Sequence, residues 1–149
     1  MIRIATIDDL ESLARLYKEH MIFHNGLDCE KFEIPSDEEC LAKMKDRLAD
    51  FLYRTIVYED NGAIYGYADY MMLKPGTLKG CIIVGDIFVA QQYRRQGIGT
   101  SLVNEIFNDA KNNSCKTVGI DVHINNPIAK KFYEKMGLIP IAIQMEKRL

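Results

Sequence analysis

One stretch limits the folds open to this chain more than any other. A continuous apolar run, Cys81 to Val89, leads through a loop into a helix-period segment that starts near Gly97 and carries Ile98, Leu102, Val103, Ile106 and Ala110. An alternating run, Thr117 to Ile124, follows. Strand, helix, strand in this order is a βαβ crossover, which joins two parallel strands and is right-handed in nearly all known cases. A continuous apolar strand is one covered on both faces. The chain therefore reads as an α/β protein: a mixed sheet with helices on its faces, and Cys81 to Val89 central in it.

The other segments fit that frame. Ile2 to Ala5 reads as a short strand, with Thr6 and Asp9 marking a helix start. Leu10, Leu13, Ala14, Tyr17 and Met21 follow at helical spacing. Phe23 to Pro35 reads as irregular, with Asn25-Gly26 as a turn. Ser36 and Glu39 form a capping box ahead of Leu41, Met44 and Leu48. Thr55 to Tyr58, the turn Asn61-Gly62 and Ala63 to Leu73 make a hairpin, which Pro75-Gly76 breaks. On the later strand Val118, Ile120, Val122 and Ile124 share a face, opposite Gly119, Asp121 and His123. Asn126 caps a fourth helix with Pro127 at its first position, Ala129, Phe132, Tyr133 and Met136 as its buried stripe, and Gly137 at its end. Ile139, Ile141, Ile143 and Met145 alternate as a last strand. With no linker or repeat, residues 1–149 read as a single domain, and 48% hydrophobic residues suffice for a core without disulfides.

Charge and cysteine usage remove several functions. The net charge is −2, so nothing draws the whole chain to nucleic acid or an anionic membrane. Arg94-Arg95 and Lys130-Lys131 are isolated pairs, too few for a nucleic-acid footprint. The start, MIRIATIDDL, lacks a signal-peptide core, and no run of apolar residues is long enough to span a membrane. Cys29, Cys40, Cys81 and Cys115 form no CxxC pair, and no His or acid signature flanks them. They read as reduced, mostly buried thiols of a cytoplasmic protein, with no metal.

The chemistry sits in the loop that opens the third helix: Arg94, Arg95, Gln96, Gly97, Ile98, Gly99 and Thr100. The first N–H groups of a helix lack intrahelical partners, and the macrodipole adds roughly half a positive charge there. Two glycines let an anion reach the backbone, and two arginines add charge, so a phosphate or pyrophosphate suits the loop. The plainer reading is a glycine-eased helix start with solvated arginines. Neither a P-loop nor a dinucleotide fingerprint is present. Read alone, the Asn126 to Leu138 stretch is a capped helix, and Tyr133 a core tyrosine.

Together, Arg94-x-x-Gly97-x-Gly99 and Asn126-x-x-Ala129-x-x-Phe132-Tyr133-x-x-x-Gly137-Leu138 resemble the two motifs of the GNAT superfamily of N-acetyltransferases. The hairpin Ile64-Tyr65-Gly66-Tyr67 and the closing Met145-Glu146-Lys147 are similar to that family as well, so the likeness spans nearly the whole chain in order. It implies an α/β fold with a mixed, mostly antiparallel central sheet, helices on both faces and one parallel crossover. It implies acetyl transfer from acetyl-CoA, a co-substrate, to a primary amine. The CoA pyrophosphate would lie on Arg94 to Gly99, with pantetheine beside the backbone of Phe88 and Val89 and near Asn126. Tyr133 would act as general acid to the departing CoA thiolate.

Many members of that family carry a Glu as base on the strand before the loop, where this chain has Gly85 or its neighbour. Asp86 is the nearest carboxylate, a base or water-holder, or else a hydrogen-bonded strand end. His123 is the second candidate, since an imidazole titrates near neutrality, and a surface histidine is its plain alternative. A water chain with no dedicated base is a third arrangement. Phe23, His24, Asn25 and Asp28 and the acids Asp37-Glu38-Glu39 fall where such proteins select the acceptor, and the ladder Tyr65, Tyr67, Asp69, Tyr70 reads equally as a pocket lining or as one face of a sheet. The acids read best as a solvated helix start. The acceptor is a small-molecule or protein amine, and a homodimer is open to the chain. The rival reading is a non-catalytic acyl-CoA-binding or regulatory module.

Overall fold

The structure is a computed structural model that describes residues 1–27, 31–73, 80–145 and 147. Its elements are β1 (Ile2–Ile4), α1 (Leu10–Leu27), α2 (Asp37–Ala49), β2 (Tyr53–Asp60), β3 (Ala63–Leu73), β4 (Cys81–Val89), α3 (Ile98–Asn112), β5 (Thr117–Ile120) and α4 (Pro127–Lys135). The strands form one sheet in the order β1-β2-β3-β4-β5. All neighbours are antiparallel except β4 and β5, which pair in parallel from Cys81↔Thr117 to Val84↔Ile120 through the α3 crossover. β4 is thus interior, the fourth strand of five.

Local chemistry sets most element ends. Asp9 accepts the Thr6 N–H at 2.8 Å and both Arg3 NH groups at 2.7 and 2.8 Å, fixing the turn between β1 and α1. At α2 the Glu39 N–H donates to Ser36 Oγ (3.2 Å) and the Ser36 N–H to Glu39 Oε2 (2.7 Å), a reciprocal cap. Asn61 and Gly62 both have positive φ, 50° and 77°, the twist-matched hairpin turn. α4 ends with the Leu138 N–H on the Tyr133 carbonyl and the Gly137 N–H on that of Glu134, with Gly137 at φ +90°.

Alternation along the strands divides the core in two. Leu13, Leu16, Met44, Val57, Tyr67 and Phe88 pack under α1 and α2; Ile56, Ala68, Tyr70, Ile82, Leu102 and Ile106 pack under α3. Tyr70 Oη and Arg54 hold α3 to the sheet through Asp109, at 2.9 and 2.6 Å. The ladder Tyr65, Tyr67, Asp69, Tyr70 does not share one face: Tyr67 belongs to the α1/α2 core, Tyr65 and Tyr70 to the α3 core. Irregularities at Tyr58/Glu59 and Asp69/Tyr70 reset the parity.

Several expectations are corrected. α1 continues through the Asn25-Gly26 turn signal to Leu27. A helical Gly costs only about 1 kcal/mol, and Asn25 turns its amide to the incoming chain, exchanging hydrogen bonds with the Phe32 backbone at 3.1 and 3.2 Å. β5 stops at Ile120, and Ile124 is exposed. The run Ile139, Ile141, Ile143, Met145 forms no strand, each residue being 77–89% exposed. Alternation supplies a face to bury, but a strand also needs an edge to pair with, and this run pairs with none of the described residues. Ala129, Phe132, Tyr133 and Met136 are half-buried rather than buried.

Cys40 and Cys81 are buried and Cys115 is partly so, all free thiols. Cys29, Asp28, Pro75-Gly76 and Glu146 lie outside the described residues. Among the described residues no helix is long and apolar enough to cross a membrane, and no group of three His, Cys, Asp or Glu is placed to hold a metal.

Candidate active site

The site lies where β4 outruns β5. The two strands pair only as far as Val84 and Ile120, whereas β4 continues to Val89. From Gly85 to Val89 the β5-side edge of β4 therefore has no ladder partner among the described residues. A cleft opens there, with α3 starting at one end.

Beyond β4, a 3-10 turn (Gln91–Tyr93) brings the chain to Arg94. The Arg94 side chain folds inward: Nε donates to the Val89 carbonyl at 2.9 Å, and the guanidinium lies 4.8 Å from the Phe23 ring and 5.2 Å from that of Phe88. It clamps α1 to the end of β4. Arg95 and Gly97 take left-handed φ, +65° and +81°, and turn the chain into α3. Gly97 caps α3 without a side-chain hydrogen bond, and the first intrahelical bond is Ser101 N–H to the Gly97 carbonyl, 2.9 Å. The amides of Ile98, Gly99 and Thr100 precede that bond. Ile98 anchors the turn in the α3 core, while Arg95, Gln96, Gly97 and Thr100 are exposed. At Gly99 a Cβ would meet Phe132 Cζ at 3.6 Å and Val89 Cγ2 at 4.0 Å, both ordinary contacts. Folding alone does not demand glycine there.

The other half of the site is polar and partly buried. In the β3–β4 ladder Asp69 faces Asp86, the next pair is Tyr70↔Val84, and Gly85 is the extra residue of a bulge. Asp69 is 1% exposed, and its Oδ1 accepts the Asp86 N–H at 3.1 Å. Burial, then the charge of Asp86, pushes its carboxyl up to about 6. Arg47 Nε lies 3.6 Å from its Oδ2. Burial also raises the Asp86 carboxyl, against the pull of Arg47.

His20 of α1 is buried, its Nδ1 3.2 Å from Tyr67 Oη and 3.7 Å from Asp86 Oδ1, its ring stacked on Phe88 at 5.0 Å. Burial, with His24 and Arg94 adding to it, drives its pKa down to about 3. The ring is therefore neutral at pH 7, and its contact with Asp86 is not an ion pair. Tyr133 of α4 borders a small apolar pocket with Val84, Ile87, Val103, Ile106 and Leu138. Burial, and next the charge of Asp86, lifts its phenol to about 12.

The structure thus brings Phe88, Val89, residues 94–100, Asp86 and Tyr133 around the free edge of β4. Asn126 stands at the start of α4, where its Oδ1 accepts the Ala129 N–H at 3.1 Å. His123 lies in the loop after β5, its Nδ1 accepting the Asn125 N–H at 3.1 Å. Asn125 in turn donates to the Leu27 carbonyl at 3.0 Å, tying this loop to the end of α1. Of the acids at α2, Asp37 is 2.6 Å from Lys18 and Glu39 is spent on the cap. Sequence reasoning missed His20, Arg47 and the buried role of Asp69. Asp69 was visible as a lone acid in an aromatic-rich strand; His20 carried no signal, because its meaning comes from contacts with β3 and β4.

Known proteins share this fold. The sequence profile of the "Acetyltransferase (GNAT) family" matches residues 12–138. An uncharacterized N-acetyltransferase of Bacillus subtilis (strain 168), YhfO, is 25% identical over 137 residues, covering 91% of this chain and 87% of that one. A variant of the BH1408 protein from Bacillus halodurans superposes with a TM-score of 0.87 at 24% identity, over 100% of this chain and 99% of the other. The aminoglycoside N-acetyltransferase AAC(6')-Iy, solved in complex with CoA, has a TM-score of 0.79 at 19% identity, over 100% and 93%. Two sequence motifs in order, a sheet that parts beside an uncapped helix and a match through nearly the whole fold have one common explanation: this chain belongs to the GNAT family of acetyltransferases.

Proposed function

We propose that the protein transfers an acetyl group from acetyl-CoA to a primary amine, acting in the cytoplasm. The observation that carries this reading is the free edge of β4, Gly85 to Val89, lying between the uncapped N-terminus of α3 and Tyr133. The residues fit CoA. The amides of Ile98, Gly99 and Thr100 suit a pyrophosphate, with Gly97 and Gly99 leaving the approach clear and Arg95 adding charge at the exposed rim. The edge of β4 at Phe88 and Val89 suits the amides of a pantetheine arm, and Asn126 at the start of α4 is a further contact for it. Arg94 supports the cradle from within, through Val89 and Phe88. AAC(6')-Iy, solved with CoA on a similar fold, supports the assignment.

When bound, acetyl-CoA supplies the acetyl group as a thioester. The chain's own work is on protons. The incoming amine is mostly an ammonium, and Asp86 takes its proton. Asp86 is favoured over His123, whose Nδ1 already accepts from the Asn125 N–H. Tyr133 holds a phenolic proton through the working pH range and gives it to the departing sulfur. Part of the rise in its pKa comes from the charge of Asp86. Protonating Asp86 removes that part, so the phenol becomes a stronger acid at the step that needs one. The acceptor is a small-molecule or protein amine, and two copies assemble as a homodimer.

Thermal unfolding with acetyl-CoA, CoA or ATP tests the reading. A ligand at 100 times its Kd stabilises by ~2.7 kcal/mol, roughly 5–10 °C for a domain of this size. A rise with both CoA forms but not ATP supports it; no rise with any of them overturns it. Turnover with any amine then separates an enzyme from a non-catalytic acyl-CoA-binding or regulatory module, a reading that rests on Gly85 standing where relatives carry a Glu.

A further inference from the structure

We propose that Asp69 and Asp86 act as one proton-accepting pair for the acceptor amine, with Asp86 touching the amine and Asp69 a positioning residue that holds Asp86 and tunes it. This rests on the acetyltransferase reading and names how the same site handles the proton.

The geometry begins at Gly85. A Cβ built there would run into Asp69 Oδ1, the same oxygen that accepts the Asp86 N–H. The room in which a side chain of residue 85 would start is therefore filled by a carboxylate from the neighbouring strand. The bulge lets this happen: with Gly85 left out of the ladder, Asp69 and Asp86 stand opposite each other. The place of a side chain at residue 85 is taken by an acid of β3, which stands beside Asp86, the acid of β4 itself.

The two acids differ in access. The Asp69 side chain is 2% exposed and that of Asp86 25%. Asp86 can meet a substrate and release a proton to solvent; Asp69 can do neither. Every element packed around the pair presents titratable groups. α1 offers Tyr17, His20 and His24, and α2 offers Lys43 and Arg47. β3 adds Tyr67 and α4 adds Tyr133, and the charge of Asp86 raises both phenols as well as Tyr17. The nearest cation, Arg47, sits 3.6 Å from Asp69 with its guanidinium 3.7 Å over the Tyr53 ring, so it only partly offsets the pair's charge. His20, held neutral, offsets none.

The charge of Asp86 resists ionisation of the buried Asp69, which holds a proton on the pair to higher pH than a lone Asp would. A base closer to neutrality is a better match to an ammonium. In the step, an N–H bond of the ammonium breaks, an O–H bond forms on Asp86, and the amine keeps the electron pair. The proton then leaves through the exposed face of Asp86. One proton per acetyl transferred balances ammonium plus thioester against amide plus thiol.

Carbon-13 NMR titration of the aspartate carboxyls in the free protein is the first test. The expected result is a coupled, two-step titration of Asp69 and Asp86, with one midpoint above the ordinary carboxylate range. Two independent curves at ordinary values would overturn the proposal, whether or not any variant folds. Asp69→Asn keeps an oxygen for the Asp86 N–H but removes the charge. It should move the Asp86 midpoint, and the acidic limb of kcat/KM, downward together by about half a pH unit or more, with the KM for acetyl-CoA within about twofold. A limb that stays in place while activity falls would leave Asp69 a purely structural residue and sink the pair. Coupled titration without any acetyl-CoA-dependent turnover would sink the acetyltransferase reading and the pair's role with it.

Discussion

Tyr133 and Gly99 carry the sharpest consequences of single side chains. Tyr133→Phe removes only a hydroxyl from a half-buried ring. A positioned general acid contributes about 10²–10⁴-fold, so kcat should fall by that order while the KM for acetyl-CoA stays near the parent value. Steady-state kinetics at pH 7.5 checks this, and an unchanged kcat would remove Tyr133 from the chemistry. Gly99→Val has room to fold, since its Cβ meets Phe132 at 3.6 Å and Val89 at 4.0 Å, both ordinary contacts. Its branches would stand over the helix amides. Each charge-assisted hydrogen bond lost costs about 1.5–3 kcal/mol, so calorimetry should find CoA affinity at least tenfold weaker in a folded variant. Both residues were legible as members of motifs. Asp69 was not, because what makes it matter is a glycine sixteen positions later on another strand.

Helix α4 makes a local cap into a functional part. Asn126 Oδ1 accepts from Ala129, Pro127 sets the first turn, and Gly137 closes the helix that presents Tyr133. Losing an N-cap costs about 1 kcal/mol. Asn126→Ala should therefore lower Tm by a few degrees and also lower kcat, because the helix start that aims Tyr133 frays. Asn126→Asp, which keeps the cap, should recover the Tm. At α2 the same size of loss is expected from Ser36→Ala, but with activity unchanged, since that cap lies away from the cleft. Comparing the Tm and kcat of these variants separates capping from catalysis. The caps themselves were readable from sequence, because a cap is written within four residues. The early end of β5 was not: Thr117 to Ile124 alternates throughout, yet only four residues pair.

Across the domain, the polar site works against stability. Asp69, with its carboxyl raised to about 6, binds a proton in the folded state that the unfolded chain releases near 4. Its contribution is therefore favourable below pH 4 and is lost as pH rises through 6. His20, lowered to about 3, has the opposite sign: its stabilising contribution is present above about 6.5 and is lost as pH falls. Asp69→Asn removes the first effect alone. It should raise stability at pH 7.5 by on the order of 1–3 kcal/mol relative to the parent, with the gain absent at pH 4. Denaturant melts at the two pH values check this, and an equal effect at both would contradict it. The exposed run Ile139, Ile141, Ile143, Met145 is the other feature of this size. An exposed, alternating apolar segment suits a second copy. Light scattering should give a dimer that Ile141→Asp with Ile143→Asp turns into a monomer of unchanged Tm; a parent already monomeric refutes the assembly.

What was readable along the chain is what depends on near neighbours. Periodicity separated helices from strands, the caps at Ser36 and Asn126 marked where helices start, and the crossover required a parallel pair. The loop from Arg94 to Thr100 was readable as a glycine-eased helix start, because glycine spacing there acts within one turn. Folding in space settled what depends on distant partners. β5 ends four residues before its pattern does, and that shortfall opens the edge of β4. Arg94 turns inward because Phe23 of α1 and Phe88 of β4 meet around it. α1 runs through Gly26 because packing against α2 and the sheet outweighs a local turn signal. The run after Gly137 alternates but pairs with no described strand, which its own pattern does not record. Asp69 fills the place of a side chain at position 85 because a one-residue bulge sets the register of two strands, and no pattern within either strand records which residues will face each other.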